Sequence, residues 1–146
     1  VISRDGSDSI KGPLWSFTTI RQANFRPYTG TGSDNHCLYD TTSHIITVTS
    51  MIYNDSRIEI VANFRVGLYL SGDSLITPSD ALLGYATFAG LDSNIVGGIS
   101  GQLDLDNYSL PAGVFRIGFY VDDENKVNES DETDNALLYP TIIKYP

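Results

Sequence analysis

Seven carboxylates crowd into the thirteen residues from Asp122 to Asp134: Asp122, Asp123, Glu124, Glu129, Asp131, Glu132 and Asp134. Oxygen-rich clusters of this kind suit calcium, a hard cation bound through carboxylates and carbonyls. The segment is not an EF-hand loop. Counted from Asp122, Val127 stands where the obligatory glycine would be, and Lys126 takes a ligand position. The plainer reading is a solvated turn in which Asp122, Glu129, Glu132 and Asn135 cap backbone amides and hold the shape of a hairpin. That reading is favoured, so no metal site and no cofactor are expected, with Ca²⁺ the one ion the carboxylate count would suit.

A second constellation arises from two stretches that match in residue class at every position. These are Phe64-Arg65-Val66-Gly67-Leu68-Tyr69-Leu70 and Phe115-Arg116-Ile117-Gly118-Phe119-Tyr120-Val121. Apolar residues alternate with Arg, Gly and Tyr, the period of a strand with one face buried. If the two lie antiparallel with their glycines opposed, Arg65 faces Tyr120 and Tyr69 faces Arg116. Arg65, Tyr69, Arg116 and Tyr120 then form a candidate binding platform for a sugar or a partner domain. The competing reading is cross-strand cation-π pairing that covers the glycines.

Catalysis has little to stand on. His36 and His44 are the only histidines, and His36 is expected in a Gly-rich loop beside the single cysteine, Cys37. Adjacent side chains seldom converge as nucleophile and base. No G-x-S-x-G, H-E-x-x-H or phosphate-loop pattern is present. Two carboxylates could serve a glycosidase, but that chemistry needs a cleft with flanking aromatics, and the acidic segment has neither.

The elements that must position these residues read as strands throughout. The 146 residues have room for one full core, with 41% hydrophobic and 11% aromatic residues. Nine tyrosines against one methionine and one tryptophan favour strand over helix. His44 to Tyr53 alternates, with Ile46, Val48, Ser50 and Ile52 on one side, and ends at Asn54-Asp55-Ser56. A long strand over Ile58 to Leu70 comes next, then a loop through Ser74 to Asp80 that is expected to cross between sheets. Ala81 to Leu91 and Ile95 to Leu105 give two more strands. Leu110-Pro111-Ala112-Gly113 suits a type II turn. Gly113 to Asp122 and Ala136 to Tyr145 complete the set, and Pro140 implies an edge or a bulge in the last strand. No segment has sustained helical periodicity, and about seven strands at regular spacing describe an all-β, immunoglobulin-like Greek-key sandwich.

The net charge of -9 and the absence of a basic patch argue against nucleic acid and anionic membrane as partners. No apolar run is long enough for a transmembrane helix. One cysteine excludes an internal disulfide framework. Three N-x-S sequons occur, at Asn54, Asn107 and Asn128. The chain begins at Val1 without a signal peptide, which suggests a fragment of a larger protein.

Residues 1–20 differ in character from the rest of the chain. Trp15-Ser16-Phe17-Thr18-Thr19 resembles the run that closes bacterial fibronectin type III domains, so 1–20 reads as the remnant strand of a preceding domain or linker, and 21–146 as the domain proper. Within that domain the succession Val66-Gly67-Leu68-Tyr69-Leu70-Ser71, Ile76-Thr77 with Asp80 and Leu83-Gly84, Leu110-Pro111-Ala112-Gly113, and Tyr120-Val121-Asp122 resembles the CARDB family. These are the cell-adhesion-related domains of bacterial and archaeal surface proteins. The most specific part is Asn125-Lys126-Val127-Asn128-Glu129-Ser130-Asp131-Glu132-Thr133-Asp134-Asn135, although the family usually has paired asparagines where this chain has Asp134-Asn135. The resemblance implies an immunoglobulin-like fold and a non-catalytic, extracellular or cell-surface module acting in adhesion, protein interaction or as a spacer. The expected partners are other domains of the same protein, or a surface protein or polysaccharide. The alternative is a carbohydrate-binding accessory module of a secreted hydrolase.

Overall fold

In the computed structural model, which describes residues 22–146, eight strands form two antiparallel sheets. They are β1 (Phe25–Pro27), β2 (His36–Tyr39), β3 (Ile45–Asn54), β4 (Phe64–Ser71), β5 (Ala81–Phe88), β6 (Val96–Asp104), β7 (Gly113–Val121) and β8 (Ala136–Tyr145). The fold is the all-β, immunoglobulin-like sandwich that the strand spacing implies. The proposed remnant strand over 1–20 lies outside the described residues.

The first sheet is built on β3, whose alternation is complete: Ile46, Val48, Ser50, Ile52 and Asn54 are buried and the residues between them are partly open. Strand β6 pairs with β3 from Ile45 to Tyr53. The opposite edge of β3 carries β1 and β2 in succession, Phe25 opposite Asn54 and Tyr39 opposite Ile46. The first strand is thus split by the loop 28–35, and counting its halves as one recovers seven strands. The second sheet has the order β5-β4-β7-β8, which puts the two look-alike strands at its centre.

Four sequence expectations need correction. The strand expected over Ile58 to Leu70 begins only at Phe64; the residues before it make a single bridge, Ile60 to Leu91, because Asn54 turns the chain first. The loop 72–80 does not cross between sheets, since β4 and β5 are neighbours in one sheet; the crossing comes later, between β5 and β6. The corner at Leu110 to Gly113 is not a type II turn, which would put Ala112 at positive φ, where among the described non-glycine residues only His44, Asn94, Asp122 and Asn125 lie. Fourth, β4 and β7 pair antiparallel, but Gly67 opposes Tyr120 and Tyr69 opposes Gly118. Opposed glycines would leave a bare strip across the sheet, whereas glycine beside tyrosine lets a ring fill the gap. The pair consequently has a local two-fold relation centred on Leu68 and Phe119.

Pro140 sits on an edge strand and within a bulge: Arg116 opposes Ile142 while Gly118 opposes Leu138. The bulge region sends buried Tyr139 across the core, where its hydroxyl donates to the Thr49 carbonyl at 2.8 Å and bonds Ser50 Oγ at 2.6 Å. Around it the core is aromatic at one end, with Phe25 against Phe64 at 4.1 Å between ring centroids and Phe64 stacked on Phe88 at 5.2 Å.

The two lateral sides of the sandwich differ. On one, β8 meets β2: Thr141 Oγ1 donates to the Cys37 carbonyl, and the Tyr39 hydroxyl to the Lys144 carbonyl at 3.1 Å. On the other, β5 and β6 face each other through small residues, Gly84 and Ala86 against Gly101, and a largely apolar cavity of about 200 Å³ opens between them. Beneath it, the 3-10 turn Leu105–Asn107 leads to Tyr108, whose hydroxyl donates to the Leu83 carbonyl.

Candidate functional site

The chemistry-bearing residues gather at the outer face of the second sheet and the turn after β7. Strand alternation puts Arg65, Gly67 and Tyr69 of β4 outward. The chain leaves β7 through Asp122, at φ 51°, and this reversal folds Asp123 back over Gly67. Asp123 takes a bidentate ion pair from Arg65, Nε at 2.7 Å and a terminal nitrogen at 2.8 Å, and accepts from the Tyr69 hydroxyl. Its side chain is fully buried while that of Arg65 is 20% exposed. The pair raises the Arg65 guanidinium above its ordinary range, the hydrogen bond to Asp123 leading. Burial, then the bond to Asp123, raises the Tyr69 phenol.

Gly67 makes this possible. A methyl there would collide with the Asp123 carboxylate and stand 2.6 Å from the Tyr69 ring. The Arg65 plane also lies 4.7 Å from the centre of the Tyr85 ring, on β5. The cation-π partner of Arg65 is therefore Tyr85, not the expected Tyr120.

The four platform residues thus have different fates. Arg65 is consumed in its ion pair, and Tyr69 is 2% exposed, so neither belongs to an open surface. Arg116 and Tyr120 are half-buried, Arg116 Nε having no hydrogen-bond partner among the described residues and the Tyr120 hydroxyl reaching the Glu132 carbonyl at 3.5 Å. Ile76, from the loop after β4, is buried against Gly118. The exposed aromatic of this face is Tyr85, whose role the sequence reading missed; its only sequence signal was an aromatic at an outward position of a weak strand.

In the turn itself each carboxylate has a local assignment. Asp122 accepts from the amides of Lys126 at 2.9 Å and Val127 at 2.8 Å, and burial nevertheless raises its pKa. Glu132 accepts from the Glu129 amide at 2.9 Å, and Asp131 from the Thr133 amide at 2.8 Å. Glu129 is buried, accepts from the Phe25 amide and from Asn135 Nδ2 at 2.9 Å, and so ties the turn to β1. Burial outweighs these bonds and pushes its pKa up to about 8. Asn135 acts as donor here, and its Oδ1 has no partner among the described residues. Asp134 accepts from Asn24 at 3.2 Å, and Glu124 lies 3.7 Å from Arg65. Among the described residues, no group of three or more His, Cys, Asp or Glu is placed to hold a metal ion.

The sequence reading also missed the role of Asn54, noted there only as a strand end and a sequon. It is fully buried, and its amide donates to the carbonyls of Ile58, Leu91 and Asp92 at 2.9 to 3.1 Å. Cys37 is buried, and burial pushes its thiol up to about 11, the opposite of an activated nucleophile. His36, expected in a loop, instead opens β2 opposite Thr49, because the chain after Gly32 pairs with β3; it meets Asp34, and His44 meets Asp106, each at 2.8 Å, far apart in the first sheet and its rim.

No family model matches the chain, and no curated protein matches it in sequence. Solved structures do. The crystal structure of the CARDB domain of the PF1109 protein from Pyrococcus furiosus, in complex with di-metal ions, aligns over 87% of this chain and 96% of its own, with a TM-score of 0.57 and 16% identity. The Bifidobacterium adolescentis GH3 beta-glucosidase aligns over 84% of this chain with a TM-score of 0.52 and 14% identity. Beta-glucosidase 3B of Thermotoga neapolitana, in complex with alpha-D-glucose, does so with 0.50 and 11%. This chain matches only 17% of either enzyme. The fold is therefore CARDB-like, and at these identities the likeness is one of fold.

Proposed function

We propose that the chain is a non-catalytic immunoglobulin-like module that links or displays other domains of an extracellular or cell-surface protein. The observation that carries this reading is where the sandwich receives and releases the chain. Ala23 and Phe25 lie at the pole of Asn54 and Glu129, whereas Tyr145 lies at the opposite pole, 5.3 Å from His44 between ring centroids and bonded to Asp106 at 2.9 Å. The ten residues of β3 separate the two poles by about 30 Å at strand rise. Entry and exit at opposite poles suit a strut in series, in which load passes through the two sheets. The engagement of the carboxylates within the chain supports the same reading, because they brace the turn at the entry pole. The net charge of -9 disfavours nucleic acid as a partner.

Force spectroscopy on the chain placed between reference domains tests this. One cooperative unfolding step per copy is expected, and extension at negligible force would overturn the strut. A second reading, carbohydrate binding, is favoured by one observation: Tyr85 is 63% exposed and lies on Arg65 beside the row that ends in Tyr120. Retention on insoluble polysaccharide that disappears in Tyr85→Ala would establish that reading in place of the strut.

A further inference from the structure

The geometry points to Glu129 as a mechanical tie, whose carboxylate passes load from β1, the strand that receives the chain, straight to β8, the strand that releases it. The inference rests on the strut reading and names the contact that sets the strength of the strut. The entering chain is held from two sides. On one, the Asn24 carbonyl accepts from the Asp55 amide at 2.8 Å, and Phe25 pairs with Asn54 at the end of β3. On the other, the Ala23 carbonyl accepts from the Ser130 amide at 2.9 Å, beside a parallel bridge between Ala23 and Glu129. The antiparallel bonds to β3 lie across the strand, so a pull along β1 strains them together instead of one after another.

Glu129 joins this entry to the exit strand. One carboxylate oxygen accepts from the Phe25 amide and the other from Asn135 Nδ2 at 2.9 Å. Asn135 immediately precedes β8, and its carbonyl accepts from the Val121 amide at the end of β7 at 2.9 Å. Two hydrogen bonds to one side chain therefore connect the first residue of β1 with the start of β8, in the opposite sheet. Phe25, Glu129 and Asn135 are all buried, which shields these bonds from replacement by water while they are strained. The Glu129 amide is itself held by Glu132 at 2.9 Å, so the turn is braced behind its carboxylate. Tyr139 and Thr141 of β8 also reach the first sheet, at the carbonyls of Thr49 and Cys37. Those contacts lie on β3 and β2, which load from β1 reaches by way of the β1–β3 ladder. Glu129 is the short path.

Force-clamp spectroscopy on the full chain between reference domains tests the tie. Forced unfolding follows the unfolding rate and not the equilibrium, so it separates a tie from a residue that merely stabilises. At a fixed force Glu129→Ala is expected to shorten the lifetime of the folded module about tenfold, through the loss of two buried hydrogen bonds. Glu129→Gln, which keeps one acceptor, is expected to fall between that variant and the unmodified chain. Arg65→Met, which acts on β4 and off the path, is expected to lower the urea midpoint yet leave the lifetime nearly unchanged. A Glu129→Ala lifetime equal to that of the unmodified chain overturns the tie. So does equal shortening in Arg65→Met and Glu129→Ala at matched loss of equilibrium stability. Should Glu129→Ala not fold, load applied through Ser33→Cys, in the loop 28–35, takes β1 off the path with the tie intact: a lifetime several-fold shorter supports the proposal, and an equal or longer one overturns it. Extension at negligible force in the unmodified chain overturns the strut reading itself, whereas a resistant chain indifferent to Glu129 overturns the tie alone.

Discussion

Strands β4 and β7 carry nearly the same seven residues and sit side by side, yet their glycines are roofed by opposite chemistry. The chain leaving β7 folds Asp123 onto Gly67 of β4, and the chain leaving β4 folds Ile76 onto Gly118 of β7. Each strand's exit loop thus covers the other strand, as the two-fold relation of an antiparallel pair allows. One roof is an ion pair, Asp123 with Arg65 and Tyr69; the other is an apolar plug. Arg116, the counterpart of Arg65, meets no carboxylate among the described residues. The strand motif supplies two equivalent glycine gaps, and the loops decide what each becomes.

Disturbing the apolar roof should cost the most. In Gly118→Ala the new methyl meets the Leu137 carbonyl oxygen, a backbone atom, and stands 2.5 Å from Ile76 Cγ1, so strands must move; a loss of about 3 kcal/mol in urea denaturation is expected. Next is Arg65→Met, which leaves the buried Asp123 carboxylate without its cation and should cost about 2 to 3 kcal/mol, reduced from a fully buried pair because Arg65 is partly solvated.

Gly67→Ala displaces side chains, not backbone, and should cost about 2 kcal/mol. Combining it with Asp123→Ala isolates the role of the ionic roof: with that roof removed, the double variant should lose less than the sum of the two, whereas strict additivity would show that Asp123 does not fill the Gly67 gap.

The last prediction concerns pH, at the turn that delivers Asp123. Burial pushes Glu129 up to about 8, so between its ordinary value near 4.5 and that point the folded chain holds a proton the unfolded chain has released. Its contribution to stability is fully present below the lower value and declines as pH rises through about 8. Glu129→Gln should flatten this part of the stability profile, as read from denaturation midpoints between pH 5 and pH 9, while leaving the Gly118→Ala penalty unchanged.

Much of this architecture was legible from residue order. The alternation of β3, the kinship of β4 and β7 and the edge position of Pro140 come from period and residue class, because a strand's two faces are written at every second residue. Register was not legible, since glycine opposed to glycine and glycine opposed to tyrosine satisfy the same alternation. Nor were the site's real members. Asp123 is one carboxylate among seven until the turn at Asp122 aims it, and Tyr85 belongs to a strand whose pattern is interrupted by Gly84.

Residue order alone dictates that this chain folds as a two-layer body of strands, because apolar residues at alternate positions must be buried from both sheets. Which groups are spent and which are available is settled in three dimensions. Partnership depends on distances between loops remote in the chain: Ile76 and Asp123 find their glycines across a shared sheet. The gap between β5 and β6 likewise exists only once two runs of small residues are brought face to face.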